Sequence, residues 1–224
     1  MTQEVWKAVD EYISDALSLD DDVLQAVQAA SDEGGLPAIQ VSAAQGKFLE
    51  LLARMIGAKR ILEVGTLGGY STVWMARGIA KDGQIVTLEL DQKHADVAAA
   101  NFRRAGVSEL IDLRVGAALD TLPVLESEIE EPFDLSFIDA DKANIPAYFE
   151  SALRMSRPGS VIIVDNVVRE GAVIDSASED PSVRGVRKLN EMLASNRRVS
   201  STVLQTVGVK GYDGFAVVLV TANG

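Results

Sequence analysis

The chain has 224 residues, 47% apolar and 24% charged, enough for a sizeable core and unlike a disordered chain. With 33 acids against 21 bases the formal charge is −12, which repels a phosphate backbone and argues against a nucleic-acid partner. Cysteine is absent and His94 is the only histidine, so disulfides, thiolate metal sites, cysteine nucleophiles and two-histidine chemistry are excluded.

The opening "MTQEVWKAVDEYIS" has no uninterrupted apolar core of the signal-peptide kind. No segment approaches the roughly 18 continuous apolar residues of a membrane span. A cytoplasmic protein without a membrane partner is expected. Val5, Val9, Tyr12, Ile13 and Ala16 recur at helical spacing, as do Val23, Val27 and Ala30 after the acids Asp20, Asp21 and Asp22. "SDEGGLP" at 31–37 breaks the pattern. A third helix is expected from Ser42, whose hydroxyl would cap it, with Gln45 as the other half of a capping box. Trp6 and Tyr12 are expected to pack rather than to cover a site.

From residue 60 strands and helices alternate: "RILEVG", "GQIVTLEL", "LIDLRVG", "FDLSFID" and "GSVIIVDN" read as buried strands separated by helical segments. That grammar predicts βαβ units, hence a parallel sheet with helices on both faces. Pro158–Gly159 reads as a turn before the fifth strand. The helix "PSVRGVRKLNEMLAS" follows, and then "VSSTVLQTV" and "GFAVVLV" read as an antiparallel hairpin separated by "GVKGYDG". The whole is expected to be one domain, with 1–57 a helical addition and 58–224 the α/β core.

In such a sheet a ligand lies at the carboxyl ends of the strands, so "EVGTLGGYST" (63–72) is the loop to read. Gly65, Gly68 and Gly69 permit positive φ or close approach to a ligand, but they do not follow G-x-G-x-x-G. Glu63 would oppose an anionic ligand at the mouth and favour a cationic one; the sulfonium and ammonium of S-adenosylmethionine would both benefit. Glu89, ending the second strand, can accept hydrogen bonds from ribose hydroxyls and serves adenosyl and dinucleotide cofactors alike. An NAD-dependent oxidoreductase and an adenosyl-binding module without catalysis are the alternatives.

Asp139 ends the fourth strand and Asp165–Asn166 the fifth. If these strands are neighbours, two carboxylates and an amide oxygen meet beside the cofactor. An all-oxygen set suits a hard divalent cation, Mg²⁺ foremost, then Mn²⁺ or Ca²⁺, with positions open for water or substrate oxygens. Each residue taken singly could equally begin a turn. In "DADKAN", Lys142 is placed to take a proton from a hydroxyl, or alternatively to balance nearby acids. Asp141 would orient the loop, Asn144 would cap a helix, and His94 would be an exposed helix residue near the adenine.

"ILEVGTLGGYST", "TLELD", "FIDADKAN" and "VIIVDNVV", in this order and spacing, resemble the cation-dependent O-methyltransferases of the caffeoyl-CoA and catechol type. The resemblance runs from about residue 38 to the end. It implies a Rossmann-like class I methyltransferase sheet of seven strands and transfer of a methyl group from S-adenosylmethionine to a catechol-like phenolic small molecule, with a non-catechol acceptor as the alternative. It assigns Val41, Glu63, Gly65, Thr66, Ser71, Glu89, Ala117 and Asp139 to the cofactor, and Asp139, Asp165 and Asn166 to the metal. Lys142 and Asp139 would carry the catalysis, and a homodimer is implied. The chain departs from the family at Arg169, where many relatives have tryptophan, and at Ile145, where tyrosine is frequent. Both border the acceptor site there. Arg169 is expected either to meet an anionic group on the acceptor or to be a solvated loop charge, and residues 167–180 to form a lid.

Overall fold

A computed structural model describes residues 2–222. The N-terminal part folds as α1 (Gln3–Leu17), α2 (Asp22–Glu33) and α3 (Ala43–Ile56). The Asp21 carboxylate caps α2 by accepting the Leu24 N–H at 3.0 Å, and the Ser42 hydroxyl caps α3 by accepting that of Gln45 at 3.2 Å. The reciprocal half of the expected capping box is not made. The Gln45 side-chain amide turns instead to the Asp165 carboxylate, donating at 2.7 Å, because a hydrogen bond to a carboxylate is stronger than one to a backbone group at a wet helix end. α2 and α3 bury Leu24, Val27, Leu49 and Ala53. α1 buries none of its residues, and Val5, Val9 and Tyr12 remain 44%, 48% and 72% exposed.

The core follows as β1 (Arg60–Val64), α4 (Tyr70–Gly78), β2 (Gln84–Glu89), α5 (Gln92–Ala105), β3 (Ile111–Val115), α6 (Ala118–Glu128), β4 (Phe133–Ile138), α7 (Ile145–Arg154), β5 (Ser156–Asp165), α8 (Pro181–Ser195), β6 (Val199–Gly208) and β7 (Gly211–Val220). The sheet order is β3-β2-β1-β4-β5-β7-β6. Its first five strands are parallel, and β7 is antiparallel to both neighbours. β1 and β4 are buried on both faces: Leu62 and Ile138 belong to one apolar cluster, Ile61 and Phe137 to the other. Successive residues of a strand point to opposite faces, so one strand supplies both layers. The chain reverses its direction of winding between β1 and β4, which opens a crevice at their carboxyl ends.

Two boundaries differ from the sequence reading. β5 begins at Ser156, upstream of Pro158–Gly159, and that dipeptide forms an irregularity within the strand: Phe133 pairs with Ser156 but Leu135 with Val161. Proline at such a bulge forfeits no ladder hydrogen bond. The hairpin ladder continues to Gly208 opposite Gly211, so most of "GVKGYDG" is strand and only Val209–Lys210 connects. Among the described residues, no helix is long and apolar enough to cross a membrane.

Candidate active site

The loop after β1 is fixed from three sides. Gly65 takes φ 102°, and a Cβ there would stand 2.1 Å from the Asp139 carbonyl oxygen, so β1 and β4 can release their chains this close together only with glycine. Leu67, also left-handed at φ 51°, donates its N–H to the Glu89 carboxylate at 2.7 Å. The Asn101 side chain, fully buried on α5, donates to the Gly68 carbonyl at 2.8 Å and the Val27 carbonyl at 3.2 Å. It ties α2 to the glycine loop. The sequence reading misses this strut, although its signal is there: Asn101 falls on the face of α5 that also carries Ala95, Ala98 and Phe102. Asn101→Leu takes the donor from the Gly68 carbonyl, while the Val27 carbonyl keeps the Ser31 hydroxyl at 2.9 Å, and a loss of about 1–3 kcal/mol is expected in urea unfolding. An unchanged midpoint would remove the strut from the account.

Of the residues expected around a cofactor, Val41, Gly65, Thr66, Ser71, Glu89, Ala117 and Asp139 line one cavity of about 780 Å³ at this rim. Glu63 lies just behind that lining. It is fully buried, and its carboxylate accepts hydrogen bonds from Ser71 at 2.6 Å, Thr72 at 2.5 Å and Thr87 at 2.6 Å. The Thr66 and Thr87 hydroxyls are 2.6 Å apart. Strand alternation turns Glu63 beneath the first turn of α4, where it holds the hydroxyl of Ser71, a residue of the cavity wall. Glu89 accepts the Leu67 and Asp91 N–H groups, at 2.7 and 2.9 Å, one on each oxygen, which leaves lone pairs at a cavity edge. His94 is not a plain surface residue: it lines the cavity, with Nδ1 3.4 Å from Glu89.

Opposite the loop, the ends of β4 and β5 bring the other expected residues together, because Ile138 pairs with Val164 in the ladder. Asp139, Lys142 and Asn166 line the same cavity. The Lys142 ammonium donates to Asp139 at 2.7 Å with only 10% of its side chain exposed. Asp165 is 6% exposed and accepts from the Gln45 side chain and the Asn166 backbone N–H. Asp165 and Asn166 also form the wall of a second cavity of about 350 Å³. Among the described residues no cluster of three or more His, Cys, Asp and Glu is disposed around one point; the expected ligands are two carboxylates and an amide. Asp141 accepts from the Tyr148 hydroxyl and from Asn144, so it orients the loop. Asn144 precedes α7 but spends its amide on Asp141 and does not cap. Trp6 and Tyr12 line neither cavity. The segment expected to be a lid is pinned at its start, since Asp213 accepts the Val168 and Arg169 N–H groups at 2.9 Å each.

Two carboxyls here bind protons unusually well. Burial pushes Glu63 up to about 7 against the pull of its three hydroxyl donors. Burial, and then the negative charge of Asp139, raise Asp165 to about 7. Each ionises first in the unfolded chain, so the stability it contributes is complete below its ordinary pKa and is lost as pH rises through about 7. For Glu63 the loss is on the order of 3 kcal/mol. The melting temperature of the ligand-free protein is therefore expected to fall between about pH 5 and 8, and Glu63→Gln to flatten that fall. Identical profiles for the two proteins would refute the assignment to Glu63.

The sequence model of the O-methyltransferase family matches residues 14–219. This chain belongs to the O-methyltransferase family. The methyltransferase is 52% identical over 220 residues to a catechol O-methyltransferase of Niastella koreensis, covering 98% of this chain and 100% of that protein. The crystal structure of an O-methyltransferase from Bacillus cereus in complex with SAH superposes with TM-score 0.97 at 55% identity, over 98% of this chain and 100% of that one. A third similar protein is the O-methyltransferase TomG from Streptomyces achromogenes, involved in tomaymycin synthesis and solved with SAM. Its TM-score is 0.95 at 50% identity, over 99% of this chain and 100% of that one. The family match begins well before residue 38, so α1 and α2 belong partly to the shared fold. It sets aside the oxidoreductase reading, which rested on the βαβ frame and Glu89 alone, and the reading as a binding module without catalysis.

Proposed function

We propose that this O-methyltransferase moves the methyl group of S-adenosylmethionine to one hydroxyl of a catechol-like small molecule, with a divalent cation, Mg²⁺ foremost, at Asp139, Asp165 and Asn166. The observation that carries the reading is the meeting of two groups on one cavity. The glycine loop with Glu89 lines one side, and Asp139, Lys142 and Asn166 line the other.

The donor set suits a hard cation. Two carboxylates stand close enough for the charge of Asp139 to raise Asp165, with an amide oxygen beside them and no nitrogen or sulfur donor among the three. When bound, a cation supplies Lewis acidity that favours the ionised form of an acceptor hydroxyl. The sulfonium of S-adenosylmethionine supplies the electrophilic methyl group. Glu89 is placed to accept from ribose hydroxyls, and Val41 and the ring of Tyr70 add buried apolar surface to the cavity wall. Lys142 stands on the wall where it would take the proton that leaves the acceptor, a role that requires its ammonium first to give up a proton and become the neutral amine. Gln45 fixes one Asp165 oxygen and the Asn166 N–H the other, so the carboxylate is oriented before any ligand arrives. The rest of the catalysis is alignment of oxygen and methyl carbon. The SAH and SAM in the two similar crystal structures support the cofactor, and the name of the Niastella koreensis protein supports the acceptor class. The exposed apolar face of α1 supports a homodimer, which sedimentation would test.

Calorimetric titration of S-adenosylmethionine, followed by methyl transfer to caffeate with Mg²⁺ and with EDTA, tests the reading. Binding and EDTA-sensitive transfer are expected. Transfer unaffected by EDTA would overturn the cation, and absence of binding would overturn the cofactor site.

A further inference from the structure

We propose that Arg169 is an anion clamp, which makes the preferred acceptor a catechol-like ring bearing a carboxylate and not a neutral or cationic one. The inference rests on the methyltransferase reading above and adds the charge of the substrate.

Arg169 follows Asn166 by three residues and lines the same cavity as Asp139 and Lys142. Its backbone is held in the left-handed region at φ 57°, followed by Glu170 at φ 55° and Gly171 at φ 89°. Two consecutive non-glycine residues in that region are costly, and such strain persists only where surrounding contacts enforce it. The contact here is Asp213, one of whose oxygens accepts the N–H groups of Val168, Arg169 and Gly214 at 2.9 Å each. Asp213 therefore holds the backbone of Arg169 and aims its side chain while leaving the guanidinium poorly paired. Among the described residues, the only ion pair of the guanidinium is to the other Asp213 oxygen at 3.8 Å, beyond hydrogen-bond length. Its Nε–H is buried and meets no acceptor among them. Arg77, Arg114 and Arg154, by contrast, each meet a carboxylate within 2.9 Å.

The other charged side chains on this cavity wall already have hydrogen-bond partners; those of Glu89 are two backbone N–H groups. Lys142 is paired with Asp139 at 2.7 Å, and Asp141 is taken by Tyr148 and Asn144. What remains is a guanidinium with donors in a planar fork, the geometry that binds a carboxylate with two parallel hydrogen bonds. Glu170 lines the second cavity and does not compete on this wall. An anion therefore gains at Arg169 what a cationic side chain on the acceptor would lose.

The test compares 3,4-dihydroxybenzoate with 4-methylcatechol, which have the same ring hydroxyls and differ in charge. Both are titrated calorimetrically into the SAH complex and assayed for methyl transfer, with the wild type, Arg169→Met and Arg169→Lys. The wild type is expected to bind the carboxylate more tightly. Arg169→Met should weaken that binding by about 10- to 100-fold and leave 4-methylcatechol unchanged, with Arg169→Lys recovering part of the loss. Equal effects on both ligands, or none on the carboxylate, would overturn the clamp. Arg169-dependent binding of the carboxylate without methylation of either compound would sink the proposed acceptor class and keep the clamp. Methylation of both compounds with no dependence on Arg169 would do the reverse.

Discussion

Gly65→Ala is expected to cost about 3 kcal/mol or more of stability and to abolish cofactor binding. The added Cβ would lie 2.1 Å from the Asp139 carbonyl oxygen and 2.8 Å from its carbonyl carbon. Those are backbone atoms, which cannot swing aside as the end of a flexible side chain would. Asp139 is itself held by its N–H to the Val64 carbonyl at 2.9 Å, so neither strand end can retreat without breaking the ladder. Conformation adds to the clash, because φ 102° is unfavourable for any residue with a side chain. Gly106→Ala separates the two contributions. Gly106 has φ 69° and a Cβ there would meet nothing within 4 Å, so it carries the conformational cost alone, about 1–2 kcal/mol. If urea unfolding gives the two variants the same loss, the close approach of β1 and β4 is not what requires glycine at 65.

Asp139→Ala is expected to remove cation-dependent turnover while S-adenosylmethionine still binds, more weakly, through the glycine loop and Glu89. The fall in kcat is about 100- to 10,000-fold, the range for losing a positioned proton-transfer group together with its partner. Asp139 bonds to Lys142 and raises Asp165 by its charge, so one substitution disconnects both. Thermal stability of the ligand-free variant is expected to change little, because repulsion from Asp165 and attraction to Lys142 disappear together. Lys142→Met should lower kcat comparably and keep Mn²⁺ binding, whereas Asp139→Ala should lose it. Full activity of Asp139→Ala in a chelator would refute the cation site, and loss of Mn²⁺ binding in Lys142→Met would show that the lysine acts on the carboxylates and not on the acceptor.

Much of the architecture was legible in the sequence because strand and helix periods report which faces are buried. The sheet with its antiparallel end, the loop at 63–72 and the strand-end positions of Glu89, Asp139 and Asp165–Asn166 all follow from local pattern and the rule that α/β ligands gather at strand ends. The family resemblance of those motifs pointed to the chemistry. Side-chain direction was not legible. Glu63 precedes the glycine loop as a cavity acid would, yet strand alternation and the seating of α4 set it against Ser71, Thr72 and Thr87. Gln45 has the spacing of a capping box, yet it bonds to a carboxylate 120 residues away. Asn101 gained its role only when α2 packed beside α5, and Asp213 only when β7 paired with β5 and met the segment that follows it. Periodicity is a property of neighbours along the chain, and it determined the elements and their order. Which carboxylate meets the ligand and which is consumed by hydroxyls, lysine or backbone N–H groups depends on contacts between distant segments, and only the tertiary structure decided that.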